Sequence, residues 1–177
     1  MNSFYTVQEI QNIGFKAVGN NVLISKNANF YSPQTISIGH DVRIDDFCIL
    51  SGHIELGSYI HISAYSAMYG KYGIIMKDYS GLSPRTTIFS AMDDFSGHFL
   101  INPMAGEHTN VTGGIVTIER FVQIGAGAII FPNVVIGEGS VIGALSLVNK
   151  SVSEWGIFAG IPVRKLKERS KDLLVYL

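Results

Sequence analysis

Residues 118–153 set the period that any fold of this chain must satisfy. They read as six consecutive six-residue blocks beginning at Ile118, Ile124, Ile130, Ile136, Ile142 and Val148, with glycine in second place at Gly125, Gly137 and Gly143. An α-helix repeats every 3.6 residues and a flat strand every two, so neither returns an aliphatic residue and a following glycine to one face at every sixth position. A chain that turns a corner every six residues does. Three short segments close a triangle, triangles stack, and each coil buries what its neighbour leaves open. The pattern predicts an all-β fold, a parallel β-helix solenoid.

The same register runs through most of the chain. Blocks begin at Val18, Ile24 and Phe30, then at Ile38, Ile44, Leu50, Leu56, Ile62 and Met68, then at Met76, Leu82 and Ile88, with two-residue insertions after Thr35 and around residues 70–73. Eighteen blocks predict six coils. Fifth positions are mostly small or aliphatic, as at Val22, Cys48, Ser66, Thr86, Ala128 and Val152, so each block offers one large and one small side chain to a narrow interior. Burying each leading aliphatic contributes roughly 1.5–3 kcal/mol before ordering costs. Residues 1–17 read as a short N-terminal helix and lead-in, because Thr6 and Glu9 have capping-box spacing, Tyr5 and Ile10 can staple that end, and Gly14 can stop it. Residues 18–153 read as the β-helix. Residues 154–177 turn at Gly160, Ile161 and Pro162 and are expected to form an amphipathic C-terminal helix over 163–176, with Arg164, Lys165, Lys167 and Arg169 on its basic face. At 177 residues the chain is expected to be one domain.

The register stops after Ile88 and resumes at Ile118. Between them, residues 90–114 are polar, glycine-rich and without strand alternation, and they carry Asp93, Asp94, His98 and His108. Long excursions from compact domains often hold function, so the chemistry is expected here. A formal net charge of −1 and a charged fraction of 15% provide no broad field for nucleic acid or an anionic membrane. The one cysteine, Cys48, makes no intrachain disulfide, and no apolar run approaches the roughly 20 residues of a membrane span. The N-terminus lacks the pattern of a signal peptide. These features predict a soluble cytoplasmic protein.

The isoleucine-glycine hexads, the loop that interrupts them and the closing run Gly160-Ile161-Pro162-Val163-Arg164-Lys165 resemble the hexapeptide-repeat acyltransferases over nearly the whole chain. Asn2-Ser3-Phe4-Tyr5, residues 39–52 and Asp93-Asp94-Phe95-Ser96-Gly97 look most like the N-acyltransferases of dTDP-4-amino-4,6-dideoxyglucose in the anthrose and viosamine pathways. The resemblance implies a left-handed coil and a homotrimer with acetyl-CoA, or another short acyl-CoA, in grooves between subunits. It implies acyl transfer to the amine of a nucleotide-linked aminosugar destined for a surface polysaccharide such as O-antigen, with no metal. Outward apolar residues such as Tyr65, Phe121 and Phe131 suit subunit contact; the competing reading is that they pack under local loops.

Acyl transfer from a thioester to an amine needs a positioned uncharged nucleophile, a proton acceptor and donors for the developing oxyanion. In many hexapeptide-repeat acetyltransferases for hydroxyl acceptors, the family this chain resembles, a loop histidine serves as base. The corresponding place here, after Ile88-Phe89-Ser90-Ala91-Met92, holds Asp93, and the resemblance implies that Asp93 is the base, with Ser83 helping to position the amine. A loop-capping carboxylate is the competing reading of Asp93, and a plain corner residue that of Ser83. Asp94 ranks second as base, and His98 is the rival base for an O-acyltransferase. Arg85 has the donor fork for a substrate diphosphate, or for pairing with Asp78 or Asp93. For coenzyme A, the resemblance implies Gly125, Ala126, Gly143 and Ala144 along the pantetheine arm, and Pro162, Arg164 and Lys165 at the nucleotide end. A non-catalytic β-helix is the remaining alternative. No two of the five histidines have the close spacing of a β-helical carbonic anhydrase, and the threonines are too scattered for an ice-binding face.

Overall fold

The computed structural model describes residues 3–101 and 103–177, so Asn2 of the N-terminal motif lies outside it. The chain is a left-handed parallel β-helix of short strands, stacked about one coil apart. On the first face, Leu23–Ile24, Arg43–Ile44, His61–Ile62, Gly81–Leu82, Gln123–Ile124, Val141–Ile142 and Gly156–Gly160 pair in parallel. The other two faces are joined by Ile49–Leu56 and Ala67–Met76, each of which runs unbroken through a corner. The leading aliphatics Ile24, Ile44, Ile62, Leu82, Ile124 and Ile142 form one buried column, and Cys48, Ser66, Thr86, Ala128 and Ser146 supply the small inward positions. The buried hydroxyls are satisfied locally: Thr86 Oγ1 donates to the Ser83 carbonyl at 2.8 Å, and Ser146 Oγ accepts from the Gly160 amide at 3.1 Å. Burial pushes the Cys48 thiol up to about 11, so it stays protonated at neutral pH.

The first face has seven rungs where eighteen hexads predict six coils. The difference arises at the end of the repeat, where Val152 bridges to Ile136 and so takes a leading position four residues after Val148 rather than the expected fifth. That shortening brings Phe158 beneath Ile142 and adds a rung.

The expected C-terminal helix is absent. Val163–Glu168 is instead a strand antiparallel to Gly156–Gly160, followed by a 3-10 turn at Asp172–Tyr176. A helix would leave the edge of the last rung unpaired, and the returning strand caps it. Arg169 then straps the tail across a corner, donating from Nη1 to the carbonyls of Phe121 at 2.7 Å and Gly139 at 2.9 Å. The N-terminal helix is present at Val7–Ile13, with the Thr6–Glu9 capping box formed and Gly14 in the left-handed conformation at its end. No described helix is long and apolar enough to cross a membrane.

The corners carry a constraint that the hexad pattern does not show. Twelve non-glycine residues among those described have positive φ, and half of them are aromatic. Each costs roughly 1–2 kcal/mol of backbone strain. At one corner Tyr59, Tyr79 and Phe121 stack in a ladder with centroids 4.7 and 5.4 Å apart, ending on Trp155 at 6.3 Å. Ring pairs of this kind contribute about 0.5–1.5 kcal/mol each beyond burial, which offsets much of the corner strain. Gly139, at φ +67°, leaves the space that Trp155 fills, since an added Cβ would lie 2.4 Å from the indole. Phe121 is only 5% exposed in this ladder. It is therefore not the open subunit-contact residue expected from sequence, whereas Tyr65 is 55% exposed.

Candidate active site

The interruption of the repeat is ordered at its root. Ala91–Asp93 and Val111–Gly113 form an antiparallel pair, with Asp93 opposite Val111, although the sequence there shows no strand alternation. Ser90, fully buried, anchors the pair: its Oγ accepts from the Tyr72 amide at 2.9 Å and donates to the Tyr69 carbonyl at 3.0 Å. Tyr72 also donates its hydroxyl to the Val111 carbonyl at 3.1 Å. Gly113 is required here because a Cβ would stand 2.1 Å from the Ser90 carbonyl oxygen. Gly113→Ala should displace the arm by a fraction of an ångström or more and lower turnover by about 10²-fold. The check is kcat beside the melting temperature, with the coil expected to stay folded.

Between this arm and the coil lies an open cleft of about 540 Å³. Phe89, Ile129 and Phe131 come from the coil, Asp93 and Phe95 from the arm, and Lys71 from a corner. Asp93 is exposed. Asp94 is committed elsewhere: its Oδ1 accepts from the Ser96 amide at 2.7 Å, and hydrogen bonds from Ser96, with a further one from Asn110, hold its carboxyl below the usual range. His98 is also held within its loop, its Nδ1 lying 2.6 Å from Ser96 Oγ, and it lines a separate pocket with Glu107 and His108. Of the three candidate bases, only Asp93 lines the apolar cleft.

A second group of candidates stacks along one edge of the coil. Ser83 donates its amide to the Ile124 carbonyl at 2.8 Å, Gly125 to Ile142 at 2.7 Å and Gly143 to Phe158 at 2.7 Å, so the three sit one above another. Ala126 and Ala144 follow them and are exposed. Ser83 lies before the strand Thr87–Phe89 and Asp93 beyond it, so the two stand at opposite ends of one face, and Ser83 does not line the Asp93 cleft. Arg85, at φ +62°, places its guanidinium 5.7 Å from the Tyr65 ring centroid. Among the described residues it forms an ion pair with neither Asp78 nor Asp93.

Comparison with known proteins fits this geometry. No family model matches the chain. A dTDP-4-amino-4,6-dideoxy-D-glucose acyltransferase of Escherichia coli is 44% identical over 170 residues, covering 94% of this chain and 88% of the relative. The chain belongs to the hexapeptide-repeat acyltransferases. AntD, an N-acyltransferase from Bacillus cereus solved with dTDP and 3-hydroxybutyryl-CoA, superposes with a TM-score of 0.96 at 52% identity, covering 99% of this chain and 95% of AntD. A serine variant of AntD, solved with dTDP-4-amino-4,6-dideoxyglucose and coenzyme A, matches with the same TM-score, identity and coverage.

At the C-terminal end of this acyltransferase, Arg164 and Lys165 line a groove of about 360 Å³ with Lys150 and Ser151. Lys165 Nζ is 2.6 Å from Glu168 Oε1, so of the two expected phosphate partners it is already paired. Pro162 forms the turn between the last two strands. Phe131, expected at an outward position, lines the Asp93 cleft. Lys71, which also lines this cleft, is marked in the sequence only by its place in the insertion at residues 70–73.

Proposed function

We propose that this chain is a coenzyme A-dependent N-acyltransferase acting on the amine of dTDP-4-amino-4,6-dideoxyglucose. The observation that carries this reading is Asp93, a carboxylate without an ion-pair partner among the described residues, in an apolar cleft on a rigidly rooted arm. The names of its relatives, an acyltransferase of that sugar and an N-acyltransferase solved with it, supply the substrate. Studied variants of AntD replace a serine and an aspartate ten residues apart. Ser83 and Asp93 have that spacing, whereas the residue ten before Asp94 is Pro84.

In the reaction the sugar ammonium first gives up one proton to solvent, and the uncharged amine attacks the thioester carbonyl, forming a C–N bond. Asp93 accepts the proton that the nitrogen loses, and the C–S bond breaks as the coenzyme A thiolate leaves and is protonated. The pantetheine arm follows the exposed Ala126 and Ala144 beside Gly125 and Gly143, with Pro162 and Arg164 at the nucleotide end. Ser83 and Asp93 stand at opposite ends of one face, which supports a homotrimer in which the Ser83 edge of one subunit meets the Asp93 arm of the next. An acyl-CoA and a nucleotide sugar as substrates support a cytoplasmic location. The hydrogen bonding of His98 within its own loop disfavours an O-acyltransferase that uses it as base.

Purified protein should release free thiol from acetyl-CoA or 3-hydroxybutyryl-CoA when the dTDP-linked 4-amino sugar is added. Release with hydroxyl sugars alone would overturn the amine assignment. The same assay ranks the acyl donors.

A further inference from the structure

Resting on the proposed acceptor, the geometry points to Lys71 as a residue that holds the diphosphate of the nucleotide sugar. The acceptor is bipolar, with an amine that carries positive charge before reaction and a diphosphate that carries negative charge. The Asp93 cleft is bipolar in the matching sense. Lys71 and Asp93 both line it, yet they form no ion pair with each other among the described residues, so each charge remains open to a ligand. Its other lining residues include Phe89, Ile129 and Phe131, which suit the deoxygenated face of a 4,6-dideoxy sugar.

Lys71 is also well rooted for this role. Its strand, Ala67–Met76, pairs Gly70 with Gly52 on one side of the residue, and the Tyr72 amide is held by Ser90 Oγ on the other. Lys71 Nζ lies 5.8 Å from the Tyr72 ring centroid, and the Tyr72 hydroxyl bonds to Val111, the residue opposite Asp93. The cation and the carboxylate therefore belong to one packed unit, while the side chain of Lys71 stays exposed. A lysine ammonium serves as a compact point charge for phosphate oxygens and needs no bidentate geometry.

Calorimetric titration with dTDP tests the assignment without turnover. Lys71→Met should weaken dTDP binding about tenfold, the usual size of a lost charge-assisted hydrogen bond at an open site. In the thiol-release assay it should raise KM for the aminosugar by a similar factor with kcat and the KM for acetyl-CoA unmoved, the signature of uniform binding. Lys71→Arg should retain most of the affinity. Wild-type dTDP affinity in Lys71→Met would overturn this inference while leaving the acceptor reading intact. A wild-type protein that neither binds dTDP nor acylates the aminosugar would overturn both.

Discussion

Asp93→Asn is expected to lower kcat by roughly 10²–10⁴-fold, the usual contribution of a general base. Asparagine keeps the size and polarity of the side chain but can neither accept the amine proton nor offer a negative charge to the ammonium, so KM for acetyl-CoA should change little while KM for the aminosugar rises. The neighbouring candidates provide an internal contrast. Asp94 already serves the loop through the Ser96 amide, and the hydrogen bonds that depress its carboxyl make it a poor proton acceptor. His98 is bonded to Ser96. Asp94→Asn and His98→Asn should each cost less than about tenfold, the loss appearing as a looser arm rather than as missing chemistry. Single-turnover thiol release with saturating acyl-CoA separates these outcomes. Normal turnover in Asp93→Asn would remove the residue from the mechanism.

Co-expressing Ser83→Ala with Asp93→Asn, each nearly inactive alone, should restore turnover to about one quarter of the wild-type level. The figure follows from random cyclic trimers, in which a site is intact when one subunit keeps its aspartate and the next keeps its serine. The structural basis is the separation of Ser83 from Asp93 along the strand Thr87–Phe89, with Ser83 absent from the Asp93 cleft. Were both groups to act within one chain, the mixture would show no more activity than its parents. Differently tagged subunits allow the mixed trimers to be purified before assay, which raises the expected level to about one third, because each mixed cyclic trimer keeps one intact site of three. A sedimentation profile showing an active monomer would also sink the shared-site arrangement.

Much of this was legible in the residues. Ile118, Ile124, Ile130, Ile136 and Ile142 announce the coil because a six-residue period has few structural solutions, and all five are fully buried. The N-terminal helix was legible for the same kind of reason, since a capping box is a local hydrogen-bond pattern written in four consecutive positions. The tail misled because its basic residues have helical spacing, while the demand that makes Val163–Glu168 a strand comes from an unpaired edge distant in design though near in sequence. Lys71 was illegible because nothing in its own neighbourhood speaks of Asp93; only folding brings them to one cleft.

The sequence by itself determined the solenoid, its inward columns and the point where the repeat opens, because each follows from periodicity and local propensity. The tertiary structure alone decided what stacks on what. It placed aromatic side chains at left-handed corners where ring ladders hold them, tied Asp94 and His98 into the loop, and left Asp93 facing an apolar cleft. The physical reason is that base strength, burial and access depend on the company a side chain keeps after folding, and hexad spacing carries no record of that company.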